Sequence, residues 1–196
     1  MRKIQCPASK LNRASRIEPP THHLLAVKAY RVRSEGRDVT TSPAVEAEGL
    51  QVRRAEQRDL GAIQRIERRS FPNPWPEGTF ERFLGEPGFL VADEEGTVVG
   101  FIVADVIASH GRPVGHIKDL AVDPDSRGEG IGSTLLARAL MVLTGGGVDS
   151  VKLEVREDNE GARELYREFG FEPVHSRPNY YENGEDAVVL VSELRQ

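Results

Sequence analysis

Apolar and polar positions change rhythm several times along the 196-residue chain, and those changes delimit its elements. Leu50-Gln51-Val52-Arg53 alternates in the manner of a short strand. After Asp59, a residue suited to capping a helix, Leu60, Ile63 and Ile66 recur at helical spacing. Prolines at 72, 74 and 76 forbid regular hydrogen bonding and make residues 71–76 a loop. A second short helix is expected over residues 77–84, with Phe80, Phe83 and Leu84 facing inward. Strands are then expected over residues 89–92 and 97–107, joined by a hairpin turn at Glu94-Glu95-Gly96, and over 115–122. A helix over 130–143 ends at Gly145-Gly146-Gly147. A strand over 148–155, a helix over 160–169 closed by Gly170, and strands over 171–176 and 187–191 complete the pattern. The order β-α-α-β-β-β-α-β-α-β-β predicts a mixed α/β sheet with one helical crossover between two parallel strands.

Residues 1–48 show neither period. They mix Pro19-Pro20, Ser/Thr clusters and scattered charge, and read as a weakly ordered extension before a domain spanning 49–196. No apolar core of signal length follows Met1-Arg2-Lys3, and the run Leu24-Leu25-Ala26-Val27 is too short to cross a membrane. Cys6 is the only cysteine, so no intrachain disulfide can form, and a reducing cytoplasm is the expected location.

Charge is distributed unevenly. The first 48 residues carry nine Lys/Arg against five Asp/Glu, whereas the rest carries 17 against 26. A domain this acidic is a poor general binder of nucleic acid, whose affinity comes largely from neutralised phosphates. It can attract a cationic amine, although an acidic surface is more often a solubility device.

The chemistry concentrates in Asp119-Leu120-Ala121-Val122-Asp123-Pro124-Asp125-Ser126-Arg127-Gly128-Glu129-Gly130-Ile131-Gly132. An apolar strand runs into a turn with three alternate glycines, and that turn opens a helix. Glycines let a ligand approach the backbone without meeting a Cβ. The unpaired N–H groups of the first helical turn then point outward beside the positive end of the helix dipole, an anion site suited to a pyrophosphate. A Walker loop is excluded, because Ser133 rather than lysine follows Gly132. The dinucleotide fingerprint G-x-G-x-x-G is also absent, since the spacing here is G-x-G-x-G in mid-domain.

Arg127-x-x-Gly130-x-Gly132 resembles the coenzyme A motif of the GNAT acetyltransferase superfamily. Leu153-Glu154-Val155-Arg156, Asn159, Ala162, Leu165-Tyr166 and Phe169-Gly170-Phe171 resemble the second half of RimI-type ribosomal-protein alanine acetyltransferases and related archaeal N-terminal acetyltransferases. Asn179-Tyr180-Tyr181 followed by Gly184-Glu185-Asp186-Ala187, and Phe71-Pro72 to Trp75 followed by Phe80, extend the likeness over residues 50–194.

The resemblance implies a central mixed sheet flanked by helices, with a V-shaped splay between the strands over 115–122 and 148–155. Acetyl-CoA would pair its pantetheine arm with the β-edge at Leu120, Ala121 and Val122, where a backbone N–H (that of Val122) would hold the thioester oxyanion. Arg127 and the run Gly128, Glu129, Gly130, Ile131, Gly132 and Ser133 would wrap the pyrophosphate, and Asn159 would bind near the pantetheine. Glu154 would be the general base and Tyr166 the general acid, with Tyr180, Tyr181 and Trp75 on the acceptor side. The mechanism would require no metal, and the acceptor would be a primary amine: the N-terminus of a protein, ribosomal by analogy. Membranes and nucleic acids are not expected partners.

Each residue also has a plainer reading. A strand-end Glu154 commonly pairs with an arginine, Tyr166 commonly packs a helix, and Tyr180 and Tyr181 fit ordinary strand aromatics. Trp75 fits a packing staple, His116 a sheet residue, and Asp123 and Asp125 turn caps. It is the joint occurrence of Glu154 and Tyr166 with the glycine turn that favours chemistry. A small-molecule or lysine acceptor, and a non-catalytic acyl-CoA-binding module, share the same coenzyme turn and remain alternatives.

Overall fold

The computed structural model describes residues 49–109, 111–181 and 183–194; the extension over 1–48, with Cys6, lies outside the described residues. Seven strands form one sheet in the order β1-β2-β3-β4-β5-β7-β6. They are β1 (Leu50–Arg54), β2 (Gly88–Glu94), β3 (Thr97–Ser109), β4 (Arg112–Val122), β5 (Ser150–Arg156), β6 (Glu172–Arg177) and β7 (Ala187–Glu193). Three helices flank them: α1 (Leu60–Ser70), α2 (Ile131–Gly145) and α3 (Glu160–Glu168). Every neighbouring pair is antiparallel except β4 and β5, which α2 connects. This is the mixed sheet with one crossover that the periodicity predicts.

Both faces of the sheet are covered, which explains the near-continuous apolar run of β3. Ile102 and Ala104 join a core beneath α2 and α3 with Leu135, Leu136 and Tyr166. Phe101 and Val103 point the other way, into a second core with Ile63 and Ile66 of α1. The β2–β3 hairpin turns on Glu95 and Gly96, both at positive φ (49° and 86°), as a two-residue turn between right-twisted strands requires.

Two local expectations are corrected. Residues 77–84 do not form an α-helix: Gly78 sits at φ +80°, and only Phe80–Phe83 closes into a 3-10 turn. The i, i+3 spacing of Phe80 and Phe83 suits three residues per turn, and both rings are buried while Leu84 is only half-buried. Asp59 stands at the N-cap position of α1 but donates no cap to it. Its carboxylate accepts from the Glu56 N–H at 2.8 Å and from the Arg53 guanidinium at 2.7 and 2.9 Å. A charged bidentate partner outcompetes the helix amides.

The feature that positions the site lies between β4 and β5. They pair only at Gly115↔Val151, His116↔Lys152 and Ile117↔Leu153. On the β3 side the register slips, with Val103 opposite Asp119 and Ala104 opposite Ile117, so Lys118 is the extra residue of a bulge. Beyond it, β4 stays paired with β3 and β5 stays paired with β7, but β4 and β5 no longer meet. The result is an opening in the middle of the sheet.

Candidate active site

On the α2–α3 side, the opening leads into a cleft of about 240 Å³. Leu120, Val122, Arg127, Gly128, Gly130, Ile131, Gly132, Ser133 and Tyr166 line it, together with Ser126, Ala162 and Leu165, to which the sequence reading gave no site role. Gly128 and Gly130 hold φ of +91° and +78°, a conformation that L side chains rarely adopt, and a Cβ on either would project into open space. No side chain caps α2, so the amides of its first turn stay available to an anion. Asp123 accepts from the Asp125 N–H at 3.1 Å and shapes the turn, as its capping reading expects. Arg127 is anchored by Val122 O and Ser70 Oγ, each at 3.4 Å.

Three residues of the expected coenzyme set lie off this lining. Ala121 is fully buried with its side chain in the second core, consistent with its alternation against Leu120 and Val122. Glu129 is exposed on the turn. Asn159 caps α3 through an Oδ1 bond from the Ala162 N–H at 3.3 Å. Its Nδ2 is buried with no hydrogen-bond partner among the described residues. A buried amide donor left unsatisfied beside α3 fits a residue awaiting a ligand carbonyl.

Tyr166, 1% exposed, packs edge-on against Phe171 at 5.6 Å. Burial, followed by the Asp119 charge and Tyr181, pushes its phenol well above its ordinary value. The group therefore stays protonated at neutral pH and is available as a proton donor.

Glu154 lies on the other face. Leu153 and Val155 join the core that holds Tyr166, so alternation along β5 sends Glu154 away from it. Its carboxylate, 1% exposed, sits 2.7 Å from His116 Nε2, 3.3 Å from Lys152 Nζ and 3.6 Å from Arg177 Nη1. Burial opposes its ionisation, but the hydrogen bond and charge of His116, followed by the charges of Lys152 and Arg177, outweigh that and bring it to about 2. His116 itself is pushed below its ordinary value by burial, against the pull of Glu154. Sequence reading had left His116 as an ordinary sheet residue, and had not singled out Lys152 or Arg177.

Tyr180 and Tyr181 are buried edge to face at 5.2 Å. The Arg156 guanidinium lies 3.9 Å over Tyr181, and Arg177 lies 5.8 Å over Tyr180, which ties the pair to the surroundings of Glu154. Trp75 is placed elsewhere. It is 2% exposed in the second core, 5.2 Å from Phe80 and 5.8 Å from Phe83, and its backbone N–H donates to Glu67 Oε1 at 2.8 Å. That placement fits the packing reading of Trp75, and Trp75 is not among the residues that line the α2–α3 cleft.

The fold and site together define a class. The sequence pattern of the Acetyltransferase (GNAT) family matches residues 60–171, and the chain belongs to that family. It is an acetyl-CoA-dependent N-acetyltransferase. Among curated proteins it is similar to the [ribosomal protein bS18]-alanine N-acetyltransferase of Escherichia coli, 33% identical over 139 residues, which cover 69% of this chain and 91% of that one. It is also similar to an N-alpha-acetyltransferase of Sulfolobus acidocaldarius, 36% identical over 156 residues, 74% of this chain and 92% of that one. The crystal structure of the ribosomal-protein-S18-alanine N-acetyltransferase from Escherichia coli superposes with a TM-score of 0.67 at 31% identity, covering 75% of this chain and 95% of that one. Among the described residues, no helix is long and apolar enough to cross a membrane.

Proposed function

We propose that the chain, through residues 49–196, transfers acetyl from acetyl-CoA to the N-terminal α-amine of a protein, a ribosomal protein by analogy with its bacterial relatives. The observation that carries this reading is the β4–β5 opening, with a glycine-turn cleft on one face and the Glu154–His116 pair on the other. The thioester carrier enters from the α2–α3 side. The first-turn amides of α2 hold its pyrophosphate, the free edge of β4 holds its pantetheine, and Asn159 Nδ2 donates to it. The acceptor comes from the opposite face, beside Tyr180 and Tyr181.

An α-amine has a pKa near ~8, so roughly a tenth is neutral at pH 7. A carboxylate held below its ordinary value is too weak a base to strip the free ammonium. Glu154 instead draws the amine in and accepts a hydrogen bond from it. Attack of nitrogen on the carbonyl carbon makes its remaining N–H far more acidic, and Glu154 takes the proton at that stage. The C–S bond then breaks, and the departing thiolate takes the Tyr166 proton. Glu154 then releases its captured proton to solvent, and the Tyr166 phenolate takes one back from solvent.

Glu154→Gln and Tyr166→Phe are each expected to lower turnover by about 10²–10⁴-fold while coenzyme A affinity, measured by calorimetry, is kept. Turnover within a few-fold of wild type in both variants would refute the acid–base roles of Glu154 and Tyr166, whereas coenzyme A binding with no turnover in the wild type would leave a binding module as the better reading. Mass spectrometry of a peptide panel tests the acceptor: acetyl found only on lysine side chains or small amines rules out the α-amine.

A further inference from the structure

Behind Glu154 a single file of charged and polar groups crosses three strands. Asp105 on β3 holds Lys118 of β4, Oδ2 to Nζ, at 3.1 Å. Lys118 Nζ lies 3.4 Å from His116 Nδ1, and His116 Nε2 lies 2.7 Å from Glu154 Oε2. His116, Lys118 and Glu154 are 7%, 6% and 1% exposed, so water does not dilute these contacts. Lys118 and His116 stand two residues apart on β4 and so share a face, and Lys118 is the residue at which the β3–β4 register slips.

Donor arithmetic decides the state of the ring. An ammonium has three donors and no acceptor, so the Nδ1 facing it must accept. The ring's one N–H is then on Nε2, aimed at the Glu154 carboxylate. A doubly protonated ring would place a second N–H, and a second positive charge, against the ammonium. The remaining charges around Glu154 are cations too, Lys152 of β5 and Arg177 of β6, while Asp119 follows Lys118 on β4.

We propose that Lys118, held by Asp105, is a positioning residue that locks His116 as the neutral Nε2–H tautomer and thereby keeps an imidazolium from forming beside Glu154. An imidazolium there would cancel the anion that receives the acceptor amine. The effect on rate rests on the reading of Glu154 given above; the tautomer does not depend on it.

Nitrogen-15 NMR of the full chain labelled at histidine, with His116 assigned by its loss in His116→Gln, reads the ring directly. Wild type is expected to show protonated Nε2 and bare Nδ1 at neutral pH and on into the acid side of the ordinary imidazole value of 6.5. Lys118→Met is expected to take up a proton at Nδ1 at higher pH. Its acid limb of kcat/KM should move upward by about one pH unit, because a like charge has been removed from contact distance. Lys118→Arg, which keeps charge and donors, should restore the wild-type limb. An Nδ1–H ring in wild type overturns the proposal, as does a Lys118→Met limb superimposable on wild type. Should Lys118→Met fail to fold, the wild-type tautomer and Asp105→Asn, which loosens Lys118 without deleting it, decide the matter by the same readings. Full activity of Glu154→Gln would remove the functional reading and leave the tautomer result standing.

Discussion

Replacing Gly130 by alanine separates what the glycine turn does for the fold from what it does for the coenzyme. Gly130 is the N-cap of α2 at φ +78°, and a Cβ placed there meets nothing within 4 Å. The folded protein therefore suffers only the left-handed backbone penalty, roughly 1–2 kcal/mol. For a domain of this size that corresponds to a fall in Tm of about 2–8 °C. The new methyl occupies the space into which a pyrophosphate would settle. Loss of a single charge-assisted amide–phosphate bond, about 1.5–3 kcal/mol, weakens acetyl-CoA about 10- to 150-fold. Gly145→Ala near the other end of the same helix is the control. Nothing contacts a Cβ there and the residue is not at positive φ, so stability should rise by about 0.5–1 kcal/mol with affinity unchanged. Scanning calorimetry gives the first quantity and isothermal titration with acetyl-CoA the second. An affinity for Gly130→Ala within threefold of wild type, in a protein that still folds, would refute the assignment of the α2 N-terminus as the phosphate anchor.

Other expectations concern the two cores and the buried carboxylate. His116 and Glu154 both take up protons less readily folded than at their ordinary values of 6.5 and 4.5. Unfolding at low pH thus absorbs protons, and stability should fall as pH drops below 6.5 and again between 4.5 and about 2. Urea midpoints measured across that range check it, and a flat profile from pH 7 to 3 contradicts it. Trp75→Ala should cost about 3–5 kcal/mol through the cavity it leaves among Phe80 and Phe83, with acceptor KM unchanged in the folded fraction. A variant of unchanged stability and raised acceptor KM would instead place Trp75 at the substrate.

What the linear sequence made legible follows from range. Periodicity and turn chemistry act over a few residues, so α1, the Glu95-Gly96 hairpin, the crossover and the glycine turn before α2 could all be read ahead of the structure. The 3-10 turn at Phe80–Phe83 was misread because apolar residues three apart fit either helix, and Gly78 alone decides between them. The surroundings of Glu154 were invisible for a different reason. His116 meets it across 38 positions, and only strand register brings the two side chains together. Lys118 shares the face of His116 by ordinary two-residue alternation, but its tie to Asp105 exists only through the pairing of β3 with β4. Asn159 was found through its family resemblance, whereas its unsatisfied Nδ2 is a property only of the folded chain.

The extra residue at Lys118 has a kinetic corollary. A strand pair that cannot zip past Ile117 and Leu153 has no closed form to be pried apart. The receptor for the thioester is already shaped before the carrier arrives. Stopped-flow association with coenzyme A should accordingly be a single phase whose rate climbs linearly with concentration, without the plateau that a preceding isomerisation imposes.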